Sequence, residues 1–118
     1  MWVDNLSPEK LNQTVRDYIQ NYKESQDEDF ELCNLASDIA LRINDSCLLE
    51  GRNPKTITAL SLIMASKLIK PKNTTRKIVC EHFCSENTLD NAYEKIKPHL
   101  DRIIPEKYSS EIKNFSLK

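Results

Sequence analysis

The sequence contains a single glycine, Gly51, among 118 residues. Because tight β-turns and glycine repeats need many glycines, this shortage excludes collagen, flexible glycine-rich linkers and most all-β folds. No apolar run approaches the roughly 18 residues that a membrane-spanning helix needs, and residues 1–4 do not resemble a signal peptide. We therefore expect a soluble, intracellular chain that forms one domain and has no membrane partner.

Catalytic motifs are also lacking. The sequence has two histidines and contains no phosphate-binding loop, nucleophile elbow or H-E-x-x-H motif. The acidic run at residues 27–31 imitates a metal or acid–base site, but negative charge is typical of the first turn of a helix. We therefore expect a protein that is not an enzyme and uses no cofactor.

The four cysteines, Cys33, Cys47, Cys80 and Cys84, are expected to be thiols in an intracellular chain. Cys80 and Cys84 flank His82, which invites a zinc interpretation. Structural zinc sites usually need a second close pair of ligands, and none follows here. Buried structural cysteines and no metal are therefore the prediction.

Acidic side chains are absent from residues 51–80, which carry seven basic ones. Residues 1–50 carry eleven acidic and four basic side chains, and residues 81–118 carry seven and six. The formal net charge of -1 thus hides an alternation of charge along the chain. Such an acid-free segment indicates a polyanionic partner, unless its lysines only keep the protein soluble.

Apolar periodicity and capping residues predict five helices and no strands, hence an all-α fold. Gly51 suits the turn that ends a helix, and Asn53-Pro54 is typical of a helix start. The third helix is apolar nearly all round, which predicts a central position in a bundle. The predicted helices cover residues 8–23, 29–47, 54–69, 75–83 and 86–98. The residues expected at the centre of the bundle, all on the third helix, are Ile57, Leu60, Ile63, Met64 and Leu68.

The fourth and fifth predicted helices are short and are joined by a tight turn, as in a helix-turn-helix. Ser85 or Asn87 is expected to cap the fifth helix. The side chains predicted to face inward on these two helices are Ile78, Val79, Phe83, Leu89, Ala92, Tyr93, Ile96 and Leu100.

Several of the basic residues fall beside helix starts. Helix N-termini offer free backbone N–H groups and the positive end of the helix dipole, and both favour phosphate. Two such starts in one acid-free segment predict a clamp on the phosphate backbone of a polyanion. The residues predicted to contact the backbone are Arg52, Asn53, Lys55, Lys72, Thr74, Thr75, Arg76 and Lys77.

Three stretches of the chain resemble the transcription factor IIB family. Residues 51–66 (Gly-Arg-Asn-Pro to Ile-Met-Ala-Ser) are similar to the family's Gly-Arg-Ser-Pro … Ala-Ala-Ile-Tyr-Met-Ala-Ser stretch. Residues 74–78 look like its Thr-Gln-Lys-Glu-Ile helix start. Its Thr-Ile-Arg-x-x-Tyr … Ile-x-Pro … Pro ending is matched by residues 88–93, Ile96, Pro98 and Pro105.

The resemblance implies a cyclin-like five-helix repeat at residues 17–108, most similar to the family's second, C-terminal repeat. Residues 1–16 would be the join between repeats, and residues 109–118 a C-terminal tail. In the family this repeat docks on promoter DNA upstream of TATA, beside the TATA-binding protein, and helps place the RNA polymerase. Its fourth and fifth helices form a helix-turn-helix that enters the major groove.

By this resemblance we expect a nuclear piece of a longer initiation factor, without the first repeat and the zinc ribbon. RNA polymerase II is the expected polymerase, while polymerase III-type and archaeal relatives stay open. A cyclin-type protein-interaction module is the alternative from another class.

The outward face of the fifth helix departs from the family, in which a valine and an arginine take the places of Asn87 and Asp90. An aspartate can only accept hydrogen bonds from a base, and it repels phosphates. We therefore expect backbone docking without the family's G·C-rich upstream specificity. The possible base-facing residues are Asn87, Thr88, Asp90 and Asn91.

Overall fold

The computed structural model describes four parts of the chain, residues 8–26, 30–46, 53–69 and 76–115. Every regular element in these parts is helical, which confirms the predicted all-α class. The main helices are α1 (Pro8–Gln26), α2 (Phe30–Asp45), α3 (Pro54–Ile69), α4 (Arg76–His82) and α5 (Glu86–Ile96). They are followed by a 3₁₀ turn (Lys97–His99), helix α6 (Leu100–Ile103) and a 3₁₀ segment (Glu106–Asn114). Across the described ranges, no helix combines the length and the apolar character needed to cross a membrane.

The largest differences from the predicted helix boundaries lie at the C-terminal ends of α1, α2 and α5, and α2 ends at Asp45 instead of residue 47. Helix α1 continues to Gln26, because the polar residues after Lys23 break the apolar pattern without breaking the helix. Helix α5 ends at Ile96 instead of residue 98. Since Pro98 has no N–H to donate along an α-helix, the chain tightens there into the 3₁₀ turn.

Helix α3 is the centre of the bundle, as its apolar sequence predicts. Residues 56–66 are all buried, and the helix contacts α1, α2, α4 and α5. Four of the five residues predicted to be central are fully buried, whereas Leu68 is only half-buried, near the end of the helix. Enclosure on every side explains why α3 lacks the polar face of a surface helix.

Helix α4 buries little of its surface, and one prediction about it is wrong. Within this helix Val79 alone is buried, and it faces the core. Ile78 was expected to face inward but is 41% exposed. Neighbouring helical positions point about 100° apart, so a seven-residue helix that turns Val79 inward turns Ile78 toward solvent.

The chain after α5 returns to the core. Leu100, Ile103 and Ile104 are buried, and the ring of Phe115 lies 6.2 Å from that of Tyr93 between centroids. The 3₁₀ segment is kinked at Tyr108, whose backbone angles (φ -110°, ψ 15°) are not helical, and the resemblance divides repeat from tail at this position. The division into three regions stays a prediction.

Candidate nucleic-acid interface

The start of α3 is capped as predicted. The backbone N–H of Lys55 donates to the side-chain oxygen of Asn53 at 2.9 Å, and the N–H of Thr56 donates to the Asn53 carbonyl at 2.9 Å. The cap fixes the first turn of α3 and leaves the Lys55 side chain exposed. The Lys55 side chain therefore lies at the positive end of a sixteen-residue helix. Its charge and the helix dipole both favour a bound anion there.

The structure describes four of the eight residues that were predicted to contact the backbone. Arg52, Lys72, Thr74 and Thr75 lie outside the described residues. Of the described members, Lys55 and Lys77 are exposed lysines, one on α3 and one on α4. These two side chains are free to reach a phosphate.

Arg76, the other described cation of the predicted set, is turned onto α5. Its Nε donates to Oε1 of Glu86 at 2.9 Å, and its Nη2 donates to Oδ1 of Asp90 at 2.7 Å. Burial acts to lower the pKa of Arg76, but the hydrogen bonds from the guanidinium to Asp90 and Glu86 carry that pKa above its ordinary value. Arg76 therefore stays charged, and its charge is neutralised from within the protein.

The third nitrogen of the Arg76 guanidinium points inward. Its Nη1 atom is buried and finds no hydrogen-bond partner among the described residues. The side chain as a whole is 17% exposed. All three guanidinium nitrogens are thus either paired or hidden, and this structure offers none of them to a ligand from solvent.

Ser85 caps α5, which settles the choice between Ser85 and Asn87. Its backbone is extended, and its Oγ accepts a hydrogen bond from the N–H of Thr88 at 3.1 Å. The Ser85 hydroxyl also lies 2.8 Å from the Thr88 hydroxyl, to which it donates. The Thr88 side chain is occupied in this capping network and is half-buried.

The outward face of α5 is acidic. Asn87 and Asn91 are exposed, as predicted, but Glu86, Asp90 and Glu94 recur at every fourth position between and beside them. Side chains four residues apart lie on one helix face, so the carboxylates form a continuous stripe. Arg76 partly neutralises the stripe at Glu86 and Asp90. The stripe disfavours phosphate, while the two amides keep the chemistry needed to bind adenine.

The carboxyl end of α4 is attached to α1 by aromatic rings. The ring of Phe83, which follows α4, lies 6.0 Å from Tyr18, and His82 lies 5.7 Å from Tyr22, both edge to face. The Nε2 atoms of His82 and Gln26 are 3.0 Å apart and share a hydrogen bond. Helix α4 is therefore held by charge at its start and by rings at its end.

Cys80 lies in α4, and Cys84 follows shortly after it. No group of three or more metal-ligating side chains occurs within the described ranges. Burial raises the pKa of Cys84 to about 11, aided by the nearby Cys80, and burial also raises the pKa of Cys80. Cys33 is buried, and Cys47 lies outside the described residues.

The ion pair between Glu86 and Arg76 was not predicted from the sequence. The Arg76 pairs join residues 10 and 14 positions apart on different helices. Helical periodicity finds partners three or four residues apart on one helix. A pair between helices depends on how α4 packs against α5, and the sequence pattern does not specify this.

A groove between α1 and α2 is the described feature most relevant to a protein-interaction module. Its surface combines polar, charged and apolar side chains: Asn12, Val15, Arg16, Ser37, Asp38, Ala40 and Leu41. Asn44 donates a hydrogen bond of 2.6 Å to Asn12 beside it.

Part of the chain is similar to transcription initiation factor IIB of Dictyostelium discoideum. The two sequences are 34% identical over 61 residues, which make up 52% of this chain and 19% of the relative. The chain therefore spans far less than two thirds of that protein. No protein-family model matches the chain, and no solved structure matches it.

Proposed function

We propose that this chain is a non-enzymatic domain of a core-promoter transcription initiation factor. It docks on promoter DNA next to the TATA-binding protein and helps recruit RNA polymerase II in the nucleus. The observation that carries the proposal is the 34% identity to a transcription initiation factor over half of the chain. A cyclin-like repeat with a helix-turn-helix at α4 and α5 is part of the same proposal.

The charges support an electrostatic docking mode. Lys55 and Lys77 extend into solvent from the acid-free segment, residues 51–80. Phosphate contacts fix the position of a protein on DNA without reading its sequence. The proposed contact set is therefore Lys55 and Lys77, together with the predicted Arg52, Lys72, Thr74 and Thr75.

Base reading plays a small part in this proposal. Asp90 is held by Arg76, and Glu94 extends the acidic stripe. A helix that approaches a groove with this face must bring carboxylates near phosphates, which is unfavourable. Docking on the backbone, with weak reading of adenine by Asn87 or Asn91 at most, fits the described surface.

The first prediction tests the docking mode by salt dependence. Replacing Lys55 and Lys77 together by alanine should flatten the slope of log affinity against log salt by about 1.8, because each phosphate contact contributes about 0.9. The measurement is fluorescence anisotropy with a TATA-containing duplex, with and without TATA-binding protein. The matched control replaces Lys97 and Lys113, two exposed lysines outside the acid-free segment.

The slope should change in the first variant and stay constant in the control. Equal slopes in all three proteins would mean that Lys55 and Lys77 only keep the protein soluble. A wild-type chain that binds no DNA in either condition would contradict the proposed function and favour the protein-interaction module.

A further inference from the structure

We propose that Glu86 and Asp90 are an autoinhibitory contact that withholds Arg76 from DNA phosphates and so lowers the affinity of the chain for DNA. The inference rests on the function proposed above. It deepens that function by assigning two residues that limit binding in place of residues that promote it.

The first step is geometric. Two guanidinium nitrogens of Arg76 donate to carboxylates at 2.9 and 2.7 Å, and the third is buried. Charge-assisted bonds of this length are the strong class of hydrogen bond. A phosphate therefore cannot be added to Arg76; it has to replace a carboxylate.

The two carboxylates, and not the guanidinium, are the exposed side of this ion-pair network. The side chain of Glu86 is 62% exposed and that of Asp90 is 42% exposed, while Arg76 lies beneath them. An approaching phosphate encounters the two carboxylates before it encounters the guanidinium. The pair thus presents negative charge at a place where the sequence alone predicts positive charge.

The third step is that the carboxylates are the replaceable part. Glu86 and Asp90 are exposed enough for their neutral amides to be tolerated at the surface, and the apolar stripe of α5 does not depend on them. Once Arg76 has no anionic partner inside the protein, its long side chain is free to reach solvent. One added phosphate contact is then expected to raise affinity by about tenfold at 0.1 M salt.

The experiment is a cycle of four proteins: wild type, Arg76→Ala, Glu86→Gln/Asp90→Asn, and the triple variant that combines them. Binding to a short mixed-sequence DNA duplex is measured by fluorescence anisotropy across a salt series. Arg76→Ala should leave the wild-type salt slope unchanged. The double variant should bind about tenfold tighter with a slope steeper by about 0.9, and the triple variant should lose the added slope.

The control separates release of Arg76 from simple loss of negative charge. Glu94→Gln/Asp101→Asn also removes two carboxylates, both exposed and neither bonded to Arg76. It should leave the slope unchanged. If the triple variant keeps the full gain, or the control equals the double variant, the gain comes from net charge and the inference is wrong.

The outcomes also separate the inference from the proposed function. Binding by the wild type without a gain in the double variant overturns the inference alone. Binding by the double variant alone supports the inference and contradicts DNA docking by the wild type, and no binding by any protein contradicts both. Nitrogen NMR of Arg76 Nε–H, which should shift on DNA addition only in the double variant, checks folding and contact in one measurement.

Discussion

Ser61 lies in the middle of α3, fully buried, and its hydroxyl meets no hydrogen-bond partner in the described part of the chain. Thr58, one turn earlier and equally buried, donates its hydroxyl proton to the carbonyl of Pro54 at 2.8 Å. The two hydroxyls therefore make opposite contributions. A buried polar group without a partner loses its hydration and gains nothing in return.

The contrast between these two hydroxyls gives a stability prediction for Ser61. Ser61→Ala should raise the free energy of unfolding by about 1 kcal/mol, because it removes an unsatisfied donor and adds no volume. Thr58→Val should lower it by about 1 kcal/mol, because it removes a bond that is made. Urea unfolding followed by circular dichroism measures both. A destabilised Ser61→Ala variant would show that this hydroxyl does bond a partner.

Cys84 gives a prediction in pH. Burial raises its pKa to about 11, from an ordinary value of 9.0, and only the thiolate reacts with alkylating agents. In a Cys80→Ser background, the rate of Cys84 alkylation should keep rising above pH 9, because burial, the larger cause of the raised pKa, remains; peptide mass spectrometry follows the rate. The same peptide in denaturant should level off near the ordinary value.

The sign of the accompanying stability effect follows from the same shift. The folded chain holds the Cys84 proton more tightly than the unfolded chain does, so stability is lost as pH rises from 9 toward 11. Below that range the thiol is neutral in both states and has no effect. A folded protein whose alkylation rate levels off near pH 9 would show that water reaches the Cys84 sulfur.

At the scale of elements, the segment after α5 adds a second layer to the core. Ile112 and Phe115 pack against buried residues, and burial raises the pKa of Tyr93, whose ring lies 6.2 Å from that of Phe115. Aromatic pairs at such distances contribute beyond the area that they bury. The final 3₁₀ segment is therefore part of the folded unit.

Two phenylalanines allow a matched test of that conclusion. Phe115→Ala should lower the free energy of unfolding by about 2 kcal/mol, since it removes a half-buried ring and its contact with Tyr93. Phe30, which is 70% exposed at the start of α2, is the control, and Phe30→Ala should change stability by less than about 0.5 kcal/mol. Thermal melts of both variants give the comparison. Equal melting temperatures would mean that Phe115 contributes nothing.

The long helices were predictable from sequence and the short ones were less so. Helix α3 has four turns of apolar residues between a capping Asn53 and Ile69, so its bounds and its central place follow from the pattern. Helix α4 has two turns, too few to define a stripe, and the inward assignment of Ile78 failed there. The 3₁₀ segment has no 3.6-residue period, and the sequence pattern did not predict it.

At the scale of the molecule, the sequence showed the alternation of charge along the chain. It did not show which of the basic side chains are exposed at the surface and which are neutralised. Lys55 and Lys77 are exposed, and their contact with phosphate stays a prediction. The neutralised state of Arg76 does not follow from any local pattern, because its two partners belong to residues 81–118, outside the acid-free segment. Charge counts along a sequence therefore overestimate the positive surface near α4.

The contacts at the two ends of α4 differ in their dependence on salt. Ion pairs with exposed carboxylates weaken as salt screens them, whereas contacts between rings are nearly indifferent to salt. Added electrolyte should therefore weaken the contacts of Arg76 more than those of Phe83. The attachment of α4 to α5 is then more sensitive to salt than its attachment to α1.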